Sequence, residues 1–206
     1  MFRISGCPRG EPVLLRRNFI FGTAAVSIFA TRTDAQPVKV EHTVQPIKQP
    51  SAWSCWAAAA TMIYNWRLGG IQQDIETVVG LAGPKYVQLF KDSFPPKNSG
   101  ISAIDEEAFY RALPMSVIKG LNPSVDGWAK ILNDKGPLSI TVDAKPPTGT
   151  IHALVVTGLD GDGTTNNTII TYIDPGDGMQ RSVPFEYFNT LYQGSANWPL
   201  QIIHNP

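Results

Sequence analysis

Residues 54–66, SCWAAAATMIYNW, combine strong helix formers with apolar groups on every side, opened by a serine able to cap the first turn. A helix without a polar stripe has no face to offer water, so it must lie at the centre of its layer with the rest of the chain packed around it. Gly69 and Gly70 follow and stop it. The chain has 206 residues, 43% of them hydrophobic, which suits one soluble domain with a core large enough to enclose such a helix.

The segments around it fall into two blocks. Helical patterns are predicted over 71–79, 101–113 and 125–133. The stretch between the first two, GPKYVQLFKDSFPPKNSG, is polar and broken by prolines and reads as a loop with one short helical turn at most. Ahead of the central helix, QPVKVEHTVQPIKQP is an extended lead-in with an edge strand over 38–44. Beyond residue 136 the character changes to short runs rich in β-branched residues, PLSITVDA, HALVVTGLD, TIITYIDP and QRSVPF, separated by turn clusters such as GDGTTNN. A short helix over 186–192 and a last strand, PLQIIH, close the chain. Helices first and antiparallel strands second define an α+β domain, with a helical layer on a sheet.

The N-terminus reads as an address. LLRRNFIFGTAAVSIFA sets two arginines ahead of an apolar stretch too short to span a bilayer, the order of an export signal. Arg16 and Arg17 before Asn18, Phe19 and Ile20 are similar to bacterial twin-arginine signals. Thr33 and Ala35 give a cleavage point ahead of Gln36, so the expectation is a signal over 1–35, a single domain over 36–206, and a periplasmic or secreted bacterial product. An uncleaved anchor or a buried helix is the competing reading. Without residues 1–35, 12 of 17 basic and 15 of 17 acidic residues remain, a balance near −3 with no clustered basic face, which excludes a nucleic-acid or membrane-surface binder. A monomer is expected.

Loss of the signal would also remove Cys7 and leave Cys55 alone, unable to form an internal disulfide. A free thiol in an oxidising compartment is either a small buried hydrophobe or a group kept for its reactivity. Cys55 stands at a helix start, where unpaired amides and the helix dipole favour a thiolate. Three histidines could serve it as base. His42 is in the lead-in and His204 near the C-terminus, while His152 opens the strand HALVVTG. Asp174 ends the next strand, and a hairpin sets the start of one strand opposite the end of the other, so Asp174 can orient the His152 ring. The plainer alternatives are a surface histidine at a strand end and an aspartate that opens the turn with Pro175 and Gly176. Gln49, six residues before Cys55, could donate to an oxyanion. DGDGTTNN, from Asp160, lacks the glutamate of a calcium loop at its twelfth position and reads as a hairpin turn. Trp56 and Trp66 read as core; Trp53, ahead of the helix, is placed to line a cleft.

Gln49, then Ser54-Cys55-Trp56 opening a buried helix, resembles the papain-like cysteine proteases. With GPLSI, HALVVTG and YIDP, the chain is similar to their compact bacterial branch of secreted effector proteases and bacteriocin-leader peptidases. The resemblance spans roughly 45–185 and implies Cys55 as nucleophile, His152 as general base and acid, Asp174 as orienter and Gln49 as oxyanion donor. Ala52 and Trp53 replace the Cys-Gly of the plant and lysosomal signature, and the 97 residues from Cys55 to His152 are fewer than in the larger enzymes. The implied function is peptide-bond hydrolysis of a peptide or protein substrate, needing no metal or organic cofactor. Two alternatives stand beside it: another Cys-His acyl-transfer enzyme, such as a peptidoglycan endopeptidase, amidase or transglutaminase-like enzyme, and an inactive binding module on the same fold.

Overall fold

A computed structural model describes residues 36–145 and 151–193 and the backbone of 203–205. The expected export signal and Cys7 lie outside the described residues, as do 146–150, just ahead of His152, and most of PLQIIH.

The apolar run forms helix α1, Cys55–Arg67, with Trp56 through Met62 and Ile63 buried. Ala57, Ala58, Ala59 and Ala60 are fully enclosed, so the methyl groups let neighbouring elements come close. Enlarging any of them would cost about 1–3 kcal/mol in overpacking. The helix ends as anticipated: Gly69 (φ 71°) and Gly70 (φ 89°) donate to the carbonyls of Trp66 and Asn65, both at 3.0 Å. It does not begin as anticipated. The Ser54 hydroxyl caps nothing and donates instead to Ser51 O at 3.0 Å, while the Ser54 carbonyl receives the amides of Ala57 and Ala58.

Helix α2, Ile75–Ala82, starts later than residue 71 because the Asp74 carboxylate accepts the Thr77 amide at 2.6 Å and fixes the boundary there. The stretch expected to be loop holds a nine-residue helix, α3, Pro84–Asp92. Pro84 sits at its first turn, where a missing N–H costs nothing, and Tyr86 and Phe90, four apart, bury one face. Its polar residues line the outer side. Helices α4, Ala103–Ala112, and α5, Val125–Lys135, begin at side-chain caps from Ser102 and Ser124, and α6, Phe185–Tyr192, matches expectation.

The strands are β1, Val38–Glu41; β2, Ser116–Ile118; β3, Leu138–Asp143; β4, Ile151–Gly161; β5, Thr168–Asp174; β6, Met179–Pro184; and β7, Ile203–Asn205. They form one sheet in the order β2-β7-β3-β4-β5-β6, every pairing antiparallel, with β1 on the far end of β4. β2, only three residues long, was not anticipated. Alternation along β4 assigns the two faces. Ala153 and Val155 pack with Trp56, Ile63 and Phe109 of the helical layer; Leu154 and Val156 pack with Trp128 and Phe188 of α5 and α6. The fold is thus α+β, with α1 pressed on the sheet and its first residue at the sheet's end. No helix among the described residues is long and apolar enough to cross a membrane.

Candidate active site

The loop that delivers the chain into α1 is held by hydroxyls. Ser51 Oγ donates to Ser93 Oγ at 2.9 Å, and Ser93 Oγ donates to the Phe90 carbonyl at 2.7 Å, tying the loop to the end of α3. The Ser51 amide donates to Ser54 Oγ at 3.1 Å, and Trp56 Nε1 to the Trp53 carbonyl at 3.1 Å. The Gln49 amide donates to the Pro175 carbonyl at 2.8 Å, which joins this loop to the turn after β5. Cys55 is therefore fixed as the first residue of α1, half-buried and with a free thiol.

His152, at the start of β4, is paired through the backbone with Val142 of β3. Its Nε2 lies 2.7 Å from Asp174 Oδ1 at the end of β5. The Cys55 thiol faces the same cleft as this ring and is near enough to favour its charged form. With Nε2 committed to the carboxylate, Nδ1 is the nitrogen left for sulfur. Asp174 Oδ1 accepts the Gly176 amide at 2.8 Å as well, its backbone carbonyl accepts Gly178 N at 2.8 Å, and Arg181 Nη1 stands 3.5 Å from Oδ2. Asp174 therefore both opens the turn and holds the imidazole, so the two readings of YIDPGDG are compatible.

Burial opposes a charge on His152, yet the bond to Asp174 and the nearby Cys55 outweigh it and raise the imidazolium pKa to about 9. For Asp174, burial likewise opposes ionisation, but the bond from His152 and its charge hold the carboxyl below its ordinary value. The side chains of Cys55 and His152 open onto a cleft of about 890 Å³, with half-exposed Trp53 at its rim and Glu106 and Thr141 at its buried end.

Of the four residues singled out from sequence, Cys55, His152 and Asp174 come together. Gln49 lies six residues ahead of Cys55 on the loop that enters α1: its Nε2 donates to Ser51 O at 2.7 Å, and its Oε1 is buried without a partner among the described residues. His42 is remote, its Nε2 3.0 Å from the Leu132 carbonyl and its ring edge-on to Trp66. His204 lies in β7, paired through the backbone with Ser139. Asp177 pairs with Arg181, and Asn189 faces a separate hollow beside Ser124. Asp162 spends its carboxylate on Thr164 and Asn167 within its own turn. No group of three His, Cys, Asp or Glu among the described residues is arranged to hold a metal ion.

Two site residues escaped the sequence reading. Glu106 sits among charged neighbours in DEEAFY, and its signal was positional: Phe109 and Tyr110, three and four residues on, mark its side of α4 as the buried one. Gly176 looked like a turn residue only, yet a Cβ there would fall 3.0 Å from Asp174 Oδ1.

A family model described as papain-like cysteine protease AvrRpt2 matches residues 34–193. No curated protein matches the chain. Among solved structures, the crystal structure of UfSP from C. elegans aligns with 87% of this chain at 14% identity and a TM-score of 0.45. This chain covers 36% of that one.

Proposed function

The chain belongs to the papain-like cysteine protease family that includes AvrRpt2, and is a cysteine peptidase of α+β fold; from that premise we propose an exported bacterial enzyme that hydrolyses peptide bonds through Cys55, His152 and Asp174. The observation that carries this reading is the His152–Asp174 pair, 2.7 Å apart at Nε2 and Oδ1, on the same cleft as the half-buried Cys55 thiol.

In the first half-reaction the Cys55 thiolate attacks the peptide carbonyl carbon, and the carbonyl π pair moves to oxygen. The Cys55 backbone amide, first of its helix, is the proposed backbone donor to that charge, and Gln49 is the proposed side-chain donor. As the tetrahedral species collapses, the C–N bond breaks and the His152 imidazolium gives its proton to the departing nitrogen. In the second half-reaction His152 takes a proton from water, the water oxygen attacks the thioester, and the C–S bond breaks to release the acid and restore the thiolate. Asp174 holds the ring so that the same nitrogen serves both steps.

Export rests on Arg16 and Arg17 ahead of the apolar stretch and on the small residues near position 35. The substrate is a peptide or protein. Incubating the purified chain and its Cys55→Ala variant with a quenched-fluorescence peptide library tests the proposal: turnover by the first and none by the second supports it. Cleavage of muropeptides with no cleavage of any library member would move the chemistry to the peptidoglycan endopeptidase alternative.

A further inference from the structure

The proposed reaction leaves one ionisable group in the cleft without a task. Glu106 is 4% exposed, yet it lines the same cleft as Cys55 and His152. Among the described residues its carboxylate accepts one hydrogen bond, from Thr141 Oγ1 of β3 at 3.5 Å, the outer limit for such a bond. Its neighbours on α4 are matched with cations: Asp105 with Lys85, and Glu107 with Arg111 and Lys119. Glu106 has no such partner among the described residues, and the Tyr110 hydroxyl one turn along is committed to Ser139 and the Trp56 carbonyl.

Burial of a carboxyl with so little compensation is costly. It raises the Glu106 pKa to about 7, the bond from Thr141 opposing the rise only in part, so at neutral pH the group is poised between its two forms. A cation arriving from the cleft would complete it. The route to it is apolar: Trp53, Ile101 and Ile151 line the same cleft. An aliphatic stem against those walls with a charged tip at the buried end is the shape of a lysine or arginine side chain.

We propose that this cleft is a specificity subsite for a basic side chain of the substrate, with Glu106 accepting its charged head and Trp53, Ile101 and Ile151 enclosing its stem. The inference rests on the Cys55–His152 reading and deepens it by naming the substrate class: peptides with Lys or Arg at one fixed position relative to the cleaved bond.

The test uses the full chain in two arms. Iodoacetamide, which carries no side chain to recognise, reports whether Cys55 is reactive. Quenched peptides carrying Lys, Arg, Gln or norleucine in turn at each position on either side of the cleaved bond report the subsite through kcat/KM. One position should favour Lys or Arg over norleucine by roughly 10- to 100-fold, the range of a hydrogen bond to a charged group. In Glu106→Gln that ratio should collapse toward one. In the unmodified protein the ratio should also fall as the pH is lowered through about 7, where Glu106 takes up its proton. The charges of the catalytic groups that face the same cleft, His152 and Asp174 among them, act on both peptides alike and cancel in the ratio; Tyr110 titrates well above this range. If Glu106→Gln does not fold, the pH series on the unmodified protein decides. A reactive thiol and cleaved peptides with no basic preference at any position, or a preference that survives Glu106→Gln, overturns the subsite alone. An inert thiol with no cleavage overturns the peptidase reading and the subsite with it.

Discussion

His152 and Asp174 belong to different strands, 22 residues apart, and meet at 2.7 Å because the β4–β5 hairpin returns the chain to its own starting end. Val155 pairs with Ile173 and Val156 with Tyr172, so the strands run together toward the open end, where a histidine and an aspartate emerge side by side. The pairing of Gln49 N with the Pro175 carbonyl brings the Cys55 loop to the same end. Two hairpin strands and one helix start thus converge, and each group is held by backbone rather than by a flexible side chain alone.

The first prediction is a pH profile. The His152 pKa is raised from 6.5 to about 9, so its charged contacts are fully present below about 6.5 and are lost as pH rises through about 9. The Asp174 carboxyl is lowered from 3.8, so its contribution is present above 3.8 and is lost as pH falls through its lower folded value. kcat/KM should therefore decline on the alkaline side with a midpoint near about 9, and thermal stability should weaken over the same interval. Asp174→Ala should move the alkaline midpoint toward 6.5. An alkaline limb that stays put in that variant would remove Asp174 from the electrostatics of the ring.

The second is a graded series of variants. Cys55→Ala should abolish turnover and His152→Ala nearly so, since no other thiol or imidazole among the described residues reaches the cleft. Asp174→Ala should be milder, because an unheld imidazole still reacts a fraction of the time. All three should fold, as each side chain faces the cleft. Single-turnover kinetics beside circular dichroism check the order; an unfolded Asp174→Ala would give the aspartate chiefly to its turn.

The third concerns Gly176. A Cβ at this position would lie 3.0 Å from Asp174 Oδ1 and 3.8 Å from His152 Nε2. Gly176→Ala should therefore displace the carboxylate and lower kcat by roughly 10-fold or more, as small misplacements at a reacting centre do. The residue is exposed and its φ lies outside the left-handed region, so stability should change by no more than about 0.5 kcal/mol. A large fall in Tm with unchanged turnover per folded molecule would make Gly176 a turn residue and nothing else.

The elements of this fold that could be read from sequence are those with a strong local signal. The α1 run is apolar on all sides and could only be central; the strands after residue 136 alternate or run apolar between turn residues. The hairpin then gave His152 and Asp174 their proximity without any knowledge of tertiary packing. What stayed hidden depends on contacts between distant segments. α3 was masked by its polar side and by Pro84, whose position at a first turn becomes favourable only once Tyr86 and Phe90 have a core to enter. Glu106 differs from Asp105 and Glu107 only in facing inward, and the depth of the cleft behind Cys55 exists only after α4 docks beside β3. The Ser54 hydroxyl turns to Ser51, where Ser93, just beyond the end of α3, completes a network.

The fourth prediction addresses compartment. If Arg16 and Arg17 are read as a twin-arginine address, replacing both with lysine should leave the full-length precursor inside the cell, while the single variants are exported more slowly. Fractionation with N-terminal sequencing of the exported form also locates the cut, expected ahead of Gln36. Normal export of the double variant would remove the twin-arginine route while leaving a general secretory one open.

The fifth concerns Gln49, whose amide nitrogen is bonded to Ser51 O at 2.7 Å while its Oε1 is buried without a partner among the described residues. A primary amide has two N–H groups, so the bond to Ser51 leaves one to give. If that second N–H meets the oxyanion, Gln49→Ala should lower kcat by roughly 10- to 1000-fold with little change in KM. A peptide aldehyde, whose adduct with Cys55 carries the same developing oxygen charge, should lose affinity in parallel. If Gln49 serves only to brace the loop through Ser51, the variant should instead lose thermal stability and iodoacetamide reactivity at Cys55 together, because the helix start would no longer be held. Gln49→Glu separates the two further: it sets a carboxylate against the Ser51 carbonyl and against any oxyanion. Under the donor role its turnover should fall below that of Gln49→Ala; equal turnover in the two variants, with aldehyde affinity unchanged, would leave the backbone amide of Cys55 as the sole donor.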